Sequence, residues 1–228
     1  MMNLLGLSLI GGVLALDTTA VLQSLISQPI IAGSLLGWLS NDLVAGLKMG
    51  FILQLLWLSE LPVGAARVPE GNLGSMIGIV LMFQLKAFQA QYFYVLILIG
   101  VFYALFFSAV GQRATTLLRQ WNVHILDRAM RGIEAGQISI ISKMNLAALV
   151  IHWLVYSIFI LGSVIIGVYV FRPLLGILPA GWNEMARLVE LAVLGCGAGF
   201  SFTLFNEKKL AWWVVTGIVA GIIFYWFL

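Results

Sequence analysis

The sequence predicts an all-α, polytopic transmembrane protein whose N-terminal third is made of short broken or re-entrant helices. Three observations predict it. Of 228 residues, 62% are hydrophobic and 9% charged, whereas a soluble domain carries about 25% charged residues. The mean hydropathy is +1.06, and a surface that apolar is compatible with lipid, where backbone polar groups are satisfied inside helices. Finally, apolar runs recur along the whole chain but are short and interrupted over the first 75 residues. Length suggests a single membrane domain over residues 1–228.

Leu4 to Leu16 is an apolar run of 13 residues, short of the about 20 that a crossing needs. Asp17 breaks or wets it. No Lys or Arg precedes Leu16, so the run does not read as a cleaved leader. Pro29 is placed as a first helical residue and starts the run Ile30 to Leu39, which Asn41-Asp42 stops. A third run, Leu43 to Leu58, carries Lys48 and Gln54 inside it, and a loop rich in Pro and Gly follows from Ser59 to Asn72. Short apolar pieces punctuated in this way mark discontinuous helices, and irregular backbone at membrane depth has to line a cavity or be wrapped in protein. Residues 1–80 are therefore the expected cavity-lining region.

The remainder is cleaner. Leu73 to Leu85 is apolar and short, and Tyr92 to Val110 is long enough to span. Residues 113–143 hold five of the twelve Lys and Arg (Arg113, Arg119, Arg128, Arg131, Lys143). Leu117, Leu118, Trp121, Ile125 and Leu126 recur at helical steps there, which predicts an amphipathic surface helix. Three spans are expected within 144–228: Leu146 to Phe171, Leu188 to Phe205 and, after the turn Asn206 to Lys209, Leu210 to Leu228. The positive-inside rule puts 113–143, Lys208 and Lys209 on the cytoplasmic side, opposite residues 172–187. The basic balance, a net charge of +3, thus reads as topology, and no nucleic acid partner is expected. Small-xxx-small pairs at Gly33/Gly37, Gly46/Gly50, Gly74/Gly78, Gly195/Gly199 and Gly217/Gly221 are candidates for close helix contact.

No cofactor or metal site is expected. His124 and His152 are isolated, Cys196 stands alone between glycines, and no Walker-type loop occurs. His152, next to Trp153, reads as an interhelical hydrogen-bonding residue. The polar residues of the N-terminal region carry the functional expectation, because ionisable groups at membrane depth are costly. Asp17, Gln23, Asp42, Gln54, Glu70 and Asn72 are the candidate substrate contacts, and Glu60, Pro62, Gly64 and Arg67 the candidates for shaping the loop. Singly, each also has a structural role open to it: Asp17 and Asp42 as helix caps, Glu60 with Arg67 as an ion pair, Gln54 as the partner of a freed backbone carbonyl. Together they alternate donors and acceptors, which suits sugar hydroxyls and points to binding rather than bond making. Trp38 and Trp57 add apolar faces or interfacial anchors.

The stretch Gln28-Pro29-Ile30-Ile31-Ala32, then Gly37, Asn41-Asp42, Gly46 and Gly50, then Leu61-Pro62-Val63-Gly64-Ala65-Ala66-Arg67-Val68-Pro69-Glu70 resembles the N-terminal half of the IIC subunit of the mannose–fructose–sorbose family of bacterial sugar phosphotransferase systems. The resemblance covers roughly residues 10–80; beyond them hydropathy and the basic central segment agree. It implies a sugar-translocating subunit of the bacterial cytoplasmic (inner) membrane, in an oligomeric assembly, working with a IID membrane subunit on a hexose. Soluble IIA and IIB proteins would carry the phosphate, so this chain would hold no phosphorylated residue and no catalytic residue of its own. Asp42 and Glu70 match acidic positions of the family pattern. Gln54 stands where the family often has Glu, and Pro62 where Asn can stand. Leu22 to Ile26 lacks an Asp-Glu-x-Gln cluster of some members, for which Gln23 and Asp17 are the nearest substitutes. These departures leave a second reading open, a regulatory or scaffold paralogue that does not transport.

Overall fold

The computed structural model describes residues 3–18, 21, 23–58, 69–204 and 212, with backbone alone for 200–204. Among the described residues seven helices follow one another: α1 (Leu4–Leu16), α2 (Pro29–Leu39), α3 (Leu43–Trp57), α4 (Gly71–Gln84), α5 (Gln89–Glu134), α6 (Ile140–Ile177) and α7 (Trp182–Leu204). A short 3-10 turn, Lys86–Phe88, joins α4 to α5. The start signals are local. The Asn3 side chain accepts from Gly6 N–H at 2.8 Å to cap α1, Pro29 opens α2, and Asp42 caps α3 through Ala45 N–H at 3.1 Å. The fold is all-α, as expected.

α4 is the centre. Every residue from Leu73 to Phe83 is buried, as expected of a helix that is apolar all round. Fourteen residues rise roughly 21 Å, less than the about 30 Å hydrocarbon layer. The short helix is tolerated because α5, α6 and α2 surround it. Gly74 and Gly78 let α5 come close: a Cβ on Gly74 would collide with the Ala104 carbonyl oxygen, and one on Gly78 with that of Gly100.

α2 and α3 form an antiparallel hairpin held by the same device. A Cβ on Gly33 would stand 2.6 Å from the Gly46 carbonyl oxygen, and one on Gly37 would stand 2.9 Å from Gly46 Cα. Gly50 lies against the backbone of Pro29 and Ile30. Three of the expected glycine pairs are therefore true contact points. Among the described residues, Gly195 and Gly199 meet nothing within 4 Å; Gly217/Gly221 lie outside them.

α5 and α6 are the long helices, and among the described residues these two are long and apolar enough to cross a membrane. Their 46 and 38 residues rise roughly 69 and 57 Å. The expected boundary between a span at 92–110 and a separate surface helix is corrected here. Span and basic segment are one helix up to Glu134, because no Pro or capping sequence interrupts Gln112 to Glu134 and straight-chain residues sustain it. Gly136, at φ 77, turns the chain into α6. The expected loop 172–187 is also much reduced. α6 runs through Pro173 to Ile177, and α7 begins at Trp182, earlier than the expected Leu188. Inside α5 the backbone breaks at Tyr92 (φ −129, ψ 37). The Tyr94 N–H then donates to the Asn183 side chain at 2.9 Å and the Tyr92 hydroxyl to the Leu178 carbonyl, which fastens α5 to the start of α7.

A buried ion pair joins α3 to α7. Lys48 Nζ is 2.8 Å from Glu190 Oε1, the carboxylate side chain being 3% exposed and the lysine 33%. Lys48 also lies over the ring of Tyr94 at 4.7 Å. Replacing one partner leaves the other charge buried and alone, a loss of 3–5 kcal/mol when both are buried; the partial exposure of Lys48 reduces it to about 2 kcal/mol. Glu190→Leu is expected to lower the melting temperature in detergent, and Lys48→Met with Glu190→Leu to recover most of it. A double variant no more stable than the single one would refute the pairing.

The expected turn 206–209 and last span 210–228 lie outside the described residues.

Candidate functional site

Asp17 follows the last residue of α1, and its buried carboxylate gathers the chain that follows. Oδ1 accepts from Ser24 N–H at 2.7 Å and from the Ser24 hydroxyl at 2.9 Å, and Oδ2 accepts from Ser27 N–H at 3.1 Å. Hydrogen bonds to an ionised acceptor are the strong kind. They hold a loop in which Gln23 and Leu25 take left-handed φ values of 50° and 68°, a conformation that costs a residue bearing Cβ about 1–2 kcal/mol. The loop thereby delivers Ser27 and Gln28 to the start of α2.

Two amides close the junction. Asn72, in the first turn of α4, donates from Nδ2 to the Ser27 hydroxyl at 3.1 Å and to the Thr18 hydroxyl at 3.3 Å. Gln54, near the end of α3, donates to Gln28 Oε1 at 2.9 Å and accepts from Ile30 N–H at 3.4 Å. The expected role for Gln54, serving a freed carbonyl, is thus reversed: it serves an unpaired N–H of the α2 N-terminus. Four helix ends meet at this point, the C-termini of α1 and α3 and the N-termini of α2 and α4.

Glu70 immediately precedes α4. Its N–H donates to the Ser108 carbonyl at 3.1 Å, and its carboxylate lies toward the Thr115 hydroxyl and feels the charge of Arg119. Trp57 closes the other side. The indole N–H donates to the Ser75 hydroxyl at 2.9 Å, and the ring lies so close to Gly71 that a Cβ there would be 2.6 Å from Trp57 Cδ2.

Asp42 is not brought to this junction. It sits at the opposite end of α3 from Gln54, roughly 18 Å away along the helix. There one carboxylate oxygen caps α3, and the other accepts from Gln89 Nε2 at 2.6 Å with Lys86 Nζ at 3.9 Å. Trp38 lies near that end too and is 64% exposed. Glu60, Pro62, Gly64 and Arg67 fall outside the described residues.

Beside the junction is a cavity of about 450 Å³, to which the loop contributes Thr18 and Gln23, α5 contributes Thr115, Arg119 and Asn122, and α6 contributes Asn145, His152 and Tyr156. His152 Nδ1 is 2.8 Å from the Ala148 carbonyl, so that nitrogen carries the proton. Nε2 then accepts from Asn122 Nδ2 at 3.3 Å, the interhelical bond that the sequence suggests. Trp153 ties α6 to α1 by donating to the Leu9 carbonyl at 3.0 Å.

Of the residues the sequence singles out, Asp17, Gln54, Glu70 and Asn72 come together here; the hydroxyls of Thr18, Ser24 and Ser27 join them and were missed, being too common a residue type to stand out. It also missed the cavity wall, for which a signal existed. Thr115, Arg119 and Asn122 follow an i, i+4, i+7 pattern, and Asn145, His152 and Tyr156 an i, i+7, i+11 pattern, one helix face each. Hydroxyls, carboxamides and a carboxylate next to an indole make a site able to hold a polyhydroxylated ligand.

Comparison with known proteins gives a consistent set of likenesses. The sequence profile described as the sorbose-specific IIC component of the PTS system (EII-Sor) matches residues 1–225. The chain is 30% identical over 152 residues to the fructose permease IIC component of Bacillus subtilis (strain 168), covering 67% of this chain and 54% of that protein. It is 30% identical over 122 residues to the sorbose-specific EIIC component of Klebsiella pneumoniae, covering 54% and 43%, and 27% identical over 122 residues to the mannose-specific EIIC component of Escherichia coli (strain K12), with the same coverage. The chain thus spans about half the length of these relatives. Among solved structures, a cryo-EM structure of the mannose transporter ManYZ in complex with microcin E492 shares the fold, with a TM-score of 0.59 and 21% identity over 96% of this chain and 84% of that one. A chain described as a membrane protein gives 0.68 and 20% over the same coverage.

Proposed function

Because the chain belongs to the EII-Sor family, the sorbose-specific IIC components of the PTS system, we propose that it is the sugar-translocating membrane subunit of a phosphotransferase system of the mannose–fructose–sorbose type. The observation that carries the reading is the meeting of four helix ends at one polar point, where the amides of Asn72 and Gln54 bridge separate segments. Half-helix ends facing a common point are how transporters place polar groups at membrane depth. Gln54, Asn72 and Glu70 are the sugar contacts in this reading. Asp17 shapes the loop that carries Gln23 to the cavity, and Asp42 steadies the far end of the hairpin rather than touching sugar.

The proposed partners are a IID membrane subunit and soluble IIA and IIB phosphocarriers, and the proposed place is the bacterial cytoplasmic membrane, crossed several times. The basic hairpin 113–143 faces the cytoplasm, which the excess of Arg there supports.

Expression of this chain with IID, IIA and IIB in a strain lacking its own IIC is expected to restore uptake of sorbose, fructose or mannose, dependent on phosphorylated IIB. Assembly with IID but no uptake of any of the three would overturn transport in favour of a scaffold.

A further inference from the structure

We propose that the cavity between α5 and α6 binds a phosphorylated sugar, with Arg119 holding the phosphate and Asn122 and Asn145 the sugar hydroxyls. The inference rests on the sugar-transport reading and assigns a second, separate site to it. Its volume of about 450 Å³ falls in the range of about 300–1,000 Å³ usual for small-molecule sites. Among the described residues, Arg119 is the one charged side chain lining it, and no carboxylate does so. The other polar groups there are hydroxyls, amides and the His152 imidazole. A guanidinium with neutral donors around it selects a phosphate ester over an uncharged ligand.

Two details narrow the ligand. The Asn122 Oδ1 atom is buried and accepts no hydrogen bond among the described residues, while His152 holds the amide so that its NH2 points at the imidazole and its oxygen does not. A turn of the Asn122 side chain would bring this unpaired acceptor to the cavity, where a hydroxyl supplies the donor it lacks and a bare phosphate dianion does not. Arg119 has no carboxylate within salt-bridge distance among the described residues, and the charge of Glu70 acts on it from farther off. An anion that also carries hydroxyls answers both needs.

The neighbouring junction differs, since Glu70, its charged sugar contact, accepts hydroxyls and repels a phosphate ester. Thr18 belongs to both places, bonding Asn72 and lining the cavity. A neutral sugar therefore prefers the junction and its phosphate ester the cavity, so that phosphorylation reverses the preference between two adjoining sites.

The test is isothermal titration of the purified full chain in phosphatidylcholine nanodiscs. Sorbose, fructose and mannose are titrated as free sugars and as phosphate esters, with inorganic phosphate as competitor. At least one ester is expected to bind. Arg119→Gln should weaken it about tenfold or more, Arg119→Lys should keep part of the affinity, and binding of the free sugar should change far less. If Arg119→Gln fails to fold, Asn122→Asp replaces it: the added negative charge should weaken the ester alone. Ester binding that both variants leave intact would overturn the site, and so would free-sugar binding with no ester binding. So would an Arg119 effect seen only in nanodiscs containing phosphatidylglycerol, which would make this a lipid site. Ester binding that depends on Arg119 without any free-sugar binding would uphold the cavity and overturn the transport reading instead. Binding of neither would overturn both.

Discussion

Gly46→Ala is expected to cost about 2–3 kcal/mol of stability and to lower the yield of folded protein sharply. The new Cβ would point at the Gly33 carbonyl oxygen and stand 2.7 Å from Gly37 Cα. Both neighbours are backbone, so no side chain can swing aside. The penalty has to exceed the about 1 kcal/mol that Ala normally gains over Gly inside a helix. Gly195 supplies the control, because no described residue lies within 4 Å of its would-be Cβ, and Gly195→Ala should be neutral or stabilising. Thermal unfolding of both variants in the same detergent checks the pair. Equal melting temperatures would remove the hairpin contact as the reason for these glycines.

Asn72→Ala should reduce sugar uptake about 100-fold at unchanged protein level, a loss of the size seen when a site built on hydrogen bonds loses one of its groups. The variant removes the only group that links α4 to both Thr18 and Ser27 among the described contacts. Gln54→Ala should act similarly through the loss of the bond to Gln28 and to Ile30 N–H. Gln54→Glu should be mild, because a carboxylate still accepts from Ile30 N–H and the Gln28 amide can turn to donate. Uptake that tolerates Gln54→Ala would remove Gln54 from the sugar site.

The residues explain how far the sequence could be read. Asp17, Pro29 and the Asn41-Asp42 step are local breakers, so the ends of α1, α2 and α3 were legible to within a residue or two. α5 was not, since a helix needs no change in backbone where its surface turns from apolar to basic, and composition alone suggested a boundary near residue 112. Gln54 and Asp42 look alike in sequence, each a polar residue beside an apolar run. The antiparallel pairing of α2 and α3 sends Gln54 to the N-terminus of α2 and Asp42 to the far end, and that pairing is carried by glycines whose partners no local pattern names. The Lys48–Glu190 pair spans 142 positions and was invisible for the same reason. The cavity wall is the opposite case: its two polar stripes lay in plain helical spacing, hidden because the basic segment was read as a lipid-surface helix.

The central claim is that the four helix ends form the sugar site, and equilibrium binding of labelled sorbose, fructose and mannose to the purified full chain, alone and with IID, tests it most directly. At least one sugar should bind, Asn72→Ala and Gln54→Ala should each abolish most of that binding, and Trp38→Ala at the far end of the hairpin should leave it intact. Binding unaffected by both amide variants, or none at all to folded protein, would contradict the account.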